Sequence, residues 1–353
     1  FGGGFLGMDN IGVFDRSAAL PTGGHLEQAD GTGWMAMYSL NMLRIACEIA
    51  IENPVYQDMA SKFFEHFLHI AGAMQSIGGE KLNLWDEDDQ FYYDMLHQED
   101  GSAMLLKVRS MVGLIPLFAV EVLTSDMLDK LPAFKRRVEW VLSNRPDLAS
   151  LISRWYEHGK GESRLLSILR GHRMKMILNR MFDESEFLSD FGIRSLSKYH
   201  QKHPNKFAFE GGSMQVDYTP AESTGDMFGG NSNWRGPIWF PMNYLILDSL
   251  SKFSDYYGSD YEVEYPTNSG QMMNIKDAAS GVSKRLLAMF VPGKDGKIPM
   301  YGEYEKMQSD PNFKDKHLFF EYFDGDTGKG LGASHQTGWT GLISEIIRQL
   351  YGK

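Results

Sequence analysis

The chain has 353 residues, 42% of them hydrophobic and 23% charged, which suits a globular protein with one large domain or two small ones. Its net charge of −11 repels phosphate backbones and anionic lipid surfaces, so nucleic acid and membrane surfaces are set aside as partners. No run of about 18 apolar residues offers a membrane span.

The opening Phe1-Gly-Gly-Gly-Phe-Leu-Gly lacks a methionine. It has neither the basic start nor the apolar stretch of a signal peptide, so it reads as the middle of a longer protein. Trp34–Ala50 is apolar almost all round, which predicts a helix buried on most sides. It holds the single cysteine, Cys47, read as a small buried hydrophobe. That usage favours a reducing, cytoplasmic compartment. Pro54 opens a second predicted helix to about Met74. Apolar spacing predicts others over Met104–Val122 (kinked at Pro116), Ser125–Leu142, Asp147–Tyr156, Glu162–Met181, Ile238–Phe253, Met273–Phe290 and Gly338–Tyr351. Between them lie Phe1–Gly33, Gly79–Gly101, Gly192–Arg235 and Val291–Thr337, far longer than ordinary connections and rich in glycine, aromatics and acids. No strand–helix alternation appears, which argues against a doubly wound sheet. Helix pairs separated by long loops suit a toroid with functional loops at one end.

The chemistry sits in those loops. Asp9, in a glycine-rich and otherwise apolar setting, suits a general acid with a raised pKa. The same Asp9 followed by Asn10 and Gly12 equally suits a turn cap. Arg16 either pairs locally with Asp15 or reaches a sugar hydroxyl. In the second loop Trp85, Tyr92 and Tyr93 alternate with acids. Asp86 to Asp89 read as a solvated turn without the spacing of an EF-hand, while Trp85 and Asp94 attract more interest. Trp234-Arg235-Gly236-Pro237-Ile238-Trp239 is dense for a loop-to-helix junction, with Pro237 placed for a first turn. Its tryptophans are either a sugar platform or core plugs. Glu321 ends an aromatic run, a plausible place for a base, and His335 reads as a core or turn histidine. No HExxH, paired CxxC, GxSxG, Walker or dinucleotide motif is present. Carboxylates and aromatics in loops favour carbohydrate chemistry.

Four blocks together resemble the C-terminal catalytic domain of glycoside hydrolase family 63, which includes mannosyl-oligosaccharide glucosidases. They are Gly7-Met8-Asp9 with Arg16, Gly192-Ile193-Arg194-Ser195-Leu196-Ser197, Trp234–Trp239 with Asn243-Tyr244-Leu245, and Phe320-Glu321-Tyr322 with Thr327-Gly328 and Gly338-Trp339-Thr340. In the glucosidase a second aspartate follows the acid, where this chain has Asn10. The resemblance implies an all-α (α/α)6 barrel, distantly like trehalases, over residues 1–353. The helices found are too few for the closed toroid, so its N-terminal helices are expected outside this chain.

The resemblance further implies an inverting α-glucosidase-like enzyme acting on an oligosaccharide or small glycoside, with Asp9 as general acid and Glu321 as general base. Trp34, Trp85, Trp234, Trp239 and Trp339 are expected to line the sugar site, with Arg16, Asp30, Arg235 and Asn243 bonding hydroxyls. No metal or cofactor is called for. The alternatives are a trehalase-like or glycosyl-glycerate hydrolase, and a non-catalytic carbohydrate-binding protein.

Overall fold

The computed structural model describes residues 6–75, 83–149, 155–169, 171–225, 227, 232–314 and 316–352. The start at 1–5, the first residues of the second loop and the middle of the helix expected at 147–156 lie outside them.

Two long helices, α1 (Ala29–Glu52) and α2 (Tyr56–Gln75), pack along one another as a hairpin. Asp30 in the first turn of α1 suits the positive helix end. Ala36, Leu40, Leu43, Ala46, Cys47 and Ala50 bury the inner stripe of α1, whereas Tyr38, Met42, Ile45 and Ile49 stand exposed along its outer face. The expectation of burial on most sides is therefore met on one side of the helix.

α3 (Ser125–Lys130) and α4 (Pro132–Asn144) follow where one helix was expected. Pro132 cannot donate to the ladder of α3 and instead opens α4. Then come α5 (Pro146–Ala149), α6 (Gly171–Met181), α7 (Phe240–Tyr257), α8 (Ile275–Ala288), α9 (Glu305–Ser309), α10 (Thr337–Thr340) and α11 (Ile343–Tyr351). α8 begins at an Asn274 side chain that accepts the Asp277 N–H at 2.9 Å. α7 ends at Gly258, whose φ of 67° is left-handed.

The all-α expectation is corrected. The described residues contain seven small antiparallel sheets, most of them two-stranded. Met104–Val122 is not a helix. It runs from the strand Ala103–Leu106 through the short 3-10 turns Met111–Gly113 and Ile115–Phe118 to the strand Val120–Leu123. This segment is apolar at most positions, broken only by Lys107, Arg109, Ser110 and Glu121, so its period could not separate helix from strand. Likewise Glu162–Met181 divides into the strand Arg164–Ser167, paired with Val120–Leu123, and α6.

Nearly all the buried side chains form one core. A second, smaller cluster of Val13, Phe14, Leu96, Leu106, Val108, Leu196, Val216 and Tyr218 lies under the loop that carries Asp9. No helix among the described residues is long and apolar enough to cross a membrane.

Candidate active site

The Trp234–Trp239 segment is the hub. Its glycine is required: Gly236 has φ of 140°, and a Cβ there would lie 2.7 Å from the Tyr218 ring. Pro237 stands ahead of the helix. α7 starts at Phe240, so the proline of its first turn is Pro241, four residues after the one expected.

On one side the hub grips the Asp9 loop. The Asn10 side-chain oxygen accepts the Trp234 N–H at 2.7 Å, and the Asn10 amide donates to Asn233 Oδ1 at 3.1 Å. Arg235 Nε donates to the Asn10 carbonyl at 2.6 Å, and its Nη2 to the Gly12 carbonyl at 3.1 Å. Asp9 itself is half-buried.

On the other side the hub grips the strand Phe320–Phe323. Ile238 and Phe323 exchange two backbone hydrogen bonds of 2.8 and 3.0 Å. The Thr340 hydroxyl of α10 donates to the Phe320 carbonyl. Glu321, half-buried on that strand, accepts the Ala333 N–H at 3.0 Å. Trp239 stacks on Trp234 with centroids 4.1 Å apart and on Tyr322 at 4.7 Å, and Trp339 leans on it at 5.4 Å. Burial pushes the Tyr322 hydroxyl up to about 12, helped by Glu222 and Glu321. Trp234 and Trp239 are 4% and 1% exposed, the core-plug alternative, whereas Trp339 is 39% exposed.

The Gly-Ile-Arg-Ser-Leu-Ser block underpins both sides. Arg194 and Lys198 donate to Asp326 at 3.1 and 3.0 Å, and Tyr218 donates to it at 2.9 Å. Although burial opposes ionisation, Lys198, Tyr218 and Arg194 together hold the Asp326 carboxyl below its usual range.

Other expected residues have different surroundings. Arg16 does not pair with Asp15, which instead accepts two bonds from Ser17. It reaches Asp30, with Nη1 at 2.9 Å from both oxygens, and Asp94 at 3.7 Å. This buried triad pins the Asp9 loop to the start of α1. Burial beside Asp30 pushes Asp94 up to about 7, against the pull of Arg16 and the Ala29 N–H. Arg16 Nη1 and Asp30 thus hold one another, while Arg16 Nη2 is buried without a hydrogen-bond partner among the described residues. Asn243 is fully buried, exchanging bonds with both backbone groups of Ile193 and donating to the Trp239 carbonyl. It orients backbone beneath the site.

Trp85 is buried with its ring against Tyr92 and the Arg173 guanidinium, and Trp34 packs on Tyr38 and Phe118. Neither belongs to the Trp234–Trp239–Trp339 group. The acid run is not simply solvated: Asp86 pairs with Lys107 at 2.8 Å and Asp89 with Arg109 at 3.1 Å. His335 is a turn residue with φ of 69°. Among the described residues, no three His, Cys, Asp or Glu side chains converge as a metal site.

Beside Asn10 opens a pocket of about 180 Å³ lined by Thr219, Ser223, Thr224, Asn233 and Arg235 among others. Sequence reasoning missed Asn233, and it named Asn10 and Tyr322 only as a turn or block neighbour of each carboxylate, not as the groups that hold this centre together. Only adjacency to Asp9, Trp234 and Glu321 marked them.

Residues 165–340 match the mannosylglycerate hydrolase MGH1-like glycoside hydrolase domain, a span that includes Glu321 and the hub. The chain belongs to glycoside hydrolase family 63. It is 52% identical to the Saccharomyces cerevisiae protein YMR196W over 98% of its own length and 33% of that protein. It is 29% identical to a probable mannosyl-oligosaccharide glucosidase of Schizosaccharomyces pombe, over 51% of this chain and 16% of that one. The chain therefore spans a third or less of the length of these relatives. A crystal structure of a GH63 mannosylglycerate hydrolase from Thermus thermophilus in complex with glucose aligns with 94% of this chain and 46% of that chain, at 13% identity and a TM-score of 0.37.

Proposed function

We propose that this chain is the catalytic part of an inverting glycoside hydrolase of (α/α)6-barrel type that removes a terminal α-linked glucose or related hexose. Asp9 protonates the leaving oxygen, and Glu321 takes a proton from the water that attacks the opposite face. Inversion needs the two carboxyl groups about 6.5–9.5 Å apart, with room for that water.

The observation that carries this reading is the double grip of the hub. Asn10 bonds to Trp234, 224 positions away, and Phe323 bonds to Ile238. One short segment thereby holds the neighbours of both carboxylates. The free, buried Cys47 accords with a reducing compartment.

The test uses the full-length protein with an aryl α-glucoside, and NMR that resolves the first-formed anomer. The expected product is β-glucose. Asp9→Asn and Glu321→Gln should each lower kcat by about 10²–10⁴-fold with the fold intact. Retention of configuration overturns the inverting mechanism, and near-normal turnover in either variant removes that residue from it. Sugar binding without hydrolysis supports a non-catalytic binding protein instead.

A second reading is favoured by Arg235. Its guanidinium lines the pocket beside Asn10, bonds only to backbone carbonyls in the described residues and has no carboxylate within ion-pair reach among them. Burial holds its pKa below the usual value, against the more distant Asp217. A small anionic leaving group, as in a glycosyl-glycerate, complements that charge. A substrate panel of glycosyl-glycerates, trehalose and glucosyl-oligosaccharides separates the possibilities.

A further inference from the structure

We propose that Asn10 is a positioning residue, and that its carboxamide, rather than a carboxylate, is required to hold the general acid in register with the base. This rests on Asp9 being that acid. Asn10 is 4% exposed, and the atoms around it fix which way its amide faces. The Trp234 N–H can only donate, so the group it meets at 2.7 Å is the oxygen of Asn10. The nitrogen then points at Asn233 Oδ1, 3.1 Å away, and at the Ser223 hydroxyl at 3.5 Å. Asn233 cannot turn over to offer a donor instead. Its own nitrogen donates to the Thr219 and Ala221 carbonyls, each at 2.7 Å, and its oxygen also accepts the Arg235 N–H at 3.0 Å.

The site therefore demands an acceptor and a donor on one side chain at position 10. A carboxylate there sets a negative oxygen against the Asn233 oxygen in a buried place, which replaces a hydrogen bond with a repulsion. The new charge also stands one residue from Asp9 and favours its protonated form. The main chain of Asn10 is held as firmly, through Arg235 Nε at 2.6 Å. From there the frame continues through the Trp234–Trp239–Tyr322 stack to the residue next to Glu321.

The tests are Asn10→Asp, Asn10→Ala and Arg235→Gln in the full-length protein, each checked for fold by near-UV circular dichroism. Turnover of an aryl α-glucoside is followed from pH 4 to 9. Asn10→Asp should lower kcat at neutral pH by about tenfold or more, since small misplacements of a catalytic group cost up to about 10²-fold. It should also move the basic limb of the kcat profile to higher pH. Below neutral pH, the ratio of its kcat to wild type should rise as pH falls, because a protonated carboxyl donates to Asn233 Oδ1 as the amide does. Asn10→Ala should lower kcat without moving the basic limb. Arg235→Gln, which removes a positive charge bonded to the Asn10 carbonyl, should lower kcat and move that limb to higher pH. KM should change less than kcat in both Asn10 variants.

A readout independent of turnover is hydrogen exchange at the Trp234 amide, which Asn10→Ala should accelerate. A folded Asn10→Asp variant with wild-type kcat and pH limbs overturns the proposal, and so does unchanged Trp234 exchange. Accelerated exchange together with a fully active Asp9→Asn variant leaves the clamp standing and removes Asp9 as the acid.

Discussion

The indole of Trp234 lies flat on the indole of Trp239, with centroids 4.1 Å apart and planes within 2°. The two rings are spaced five residues apart, yet Gly236 and Pro237 fold the backbone so that they face. The Trp239 N–H donates to the Asn233 carbonyl at 2.9 Å, closing the turn on itself. The segment is therefore a rigid wedge between the Asp9 loop and the strand that carries Glu321.

Trp239→Phe should cost about 1–3 kcal/mol, from a buried hydrogen bond and lost stacking area. Trp339→Ala, at a ring 39% exposed, should cost less stability and raise KM for a sugar substrate. Urea unfolding and steady-state kinetics on both variants check the contrast.

Gly332→Ala probes the proposed base directly. Gly332 has φ of 67°, and a Cβ there would lie 2.7 Å from Glu321 Oε2. The substitution should cost about 1 kcal/mol or more from backbone conformation alone. It also displaces the carboxylate, so kcat should fall more than stability does. Activity at unchanged KM, together with thermal unfolding, measures both.

Asp94→Asn probes the buried triad. Asp94 carries a folded pKa of about 7, above its ordinary value of 3.8. The native state thus keeps a proton that the unfolded chain releases, and stability falls as pH rises from about 4 towards 7, by up to about 1.4 kcal/mol per unit. The asparagine variant mimics the protonated acid and keeps an acceptor for the Ala29 N–H. It should flatten that slope, so its stability relative to wild type increases with pH. Denaturant unfolding at pH 5, 6 and 7 gives the slope.

Asp326→Asn should act in the opposite sense. Its carboxyl is held below the ordinary value, so its contribution is present above the unfolded pKa and is lost as pH falls through the folded one. Replacing it leaves Arg194 and Lys198 without their anion. The expected loss is about 1–3 kcal/mol at pH 7, the range for hydrogen bonds to a charged group, and it should shrink below about pH 4. Unfolding curves at pH 3.5 and 7 test this.

The long amphipathic or uniformly apolar runs announced α1, α2, α4, α7 and α8, because their periods extend over many turns. Short strands carried no such signal. Ala103–Leu106 and Val120–Leu123 sit in a largely apolar stretch whose pairing partners, Asp94–His97 and Arg164–Ser167, are remote or just as featureless. Helical period was the wrong template there. The four blocks that point to family 63 were legible, and the match over residues 165–340 covers three of them.

Residue types and order thus determined the family, the principal helices and the two carboxylates to examine, since all of these are written in local pattern and composition. Tertiary structure alone decided the partners. It sent Arg16 to Asp30 and Asp94 rather than to Asp15, buried Asn243 against Ile193, and made Asn10 the handle on the Asp9 loop. Those choices turn on hydrogen bonds that must be satisfied once water is excluded, and a buried group takes the partner that packing brings within about 3 Å, wherever it lies in the chain.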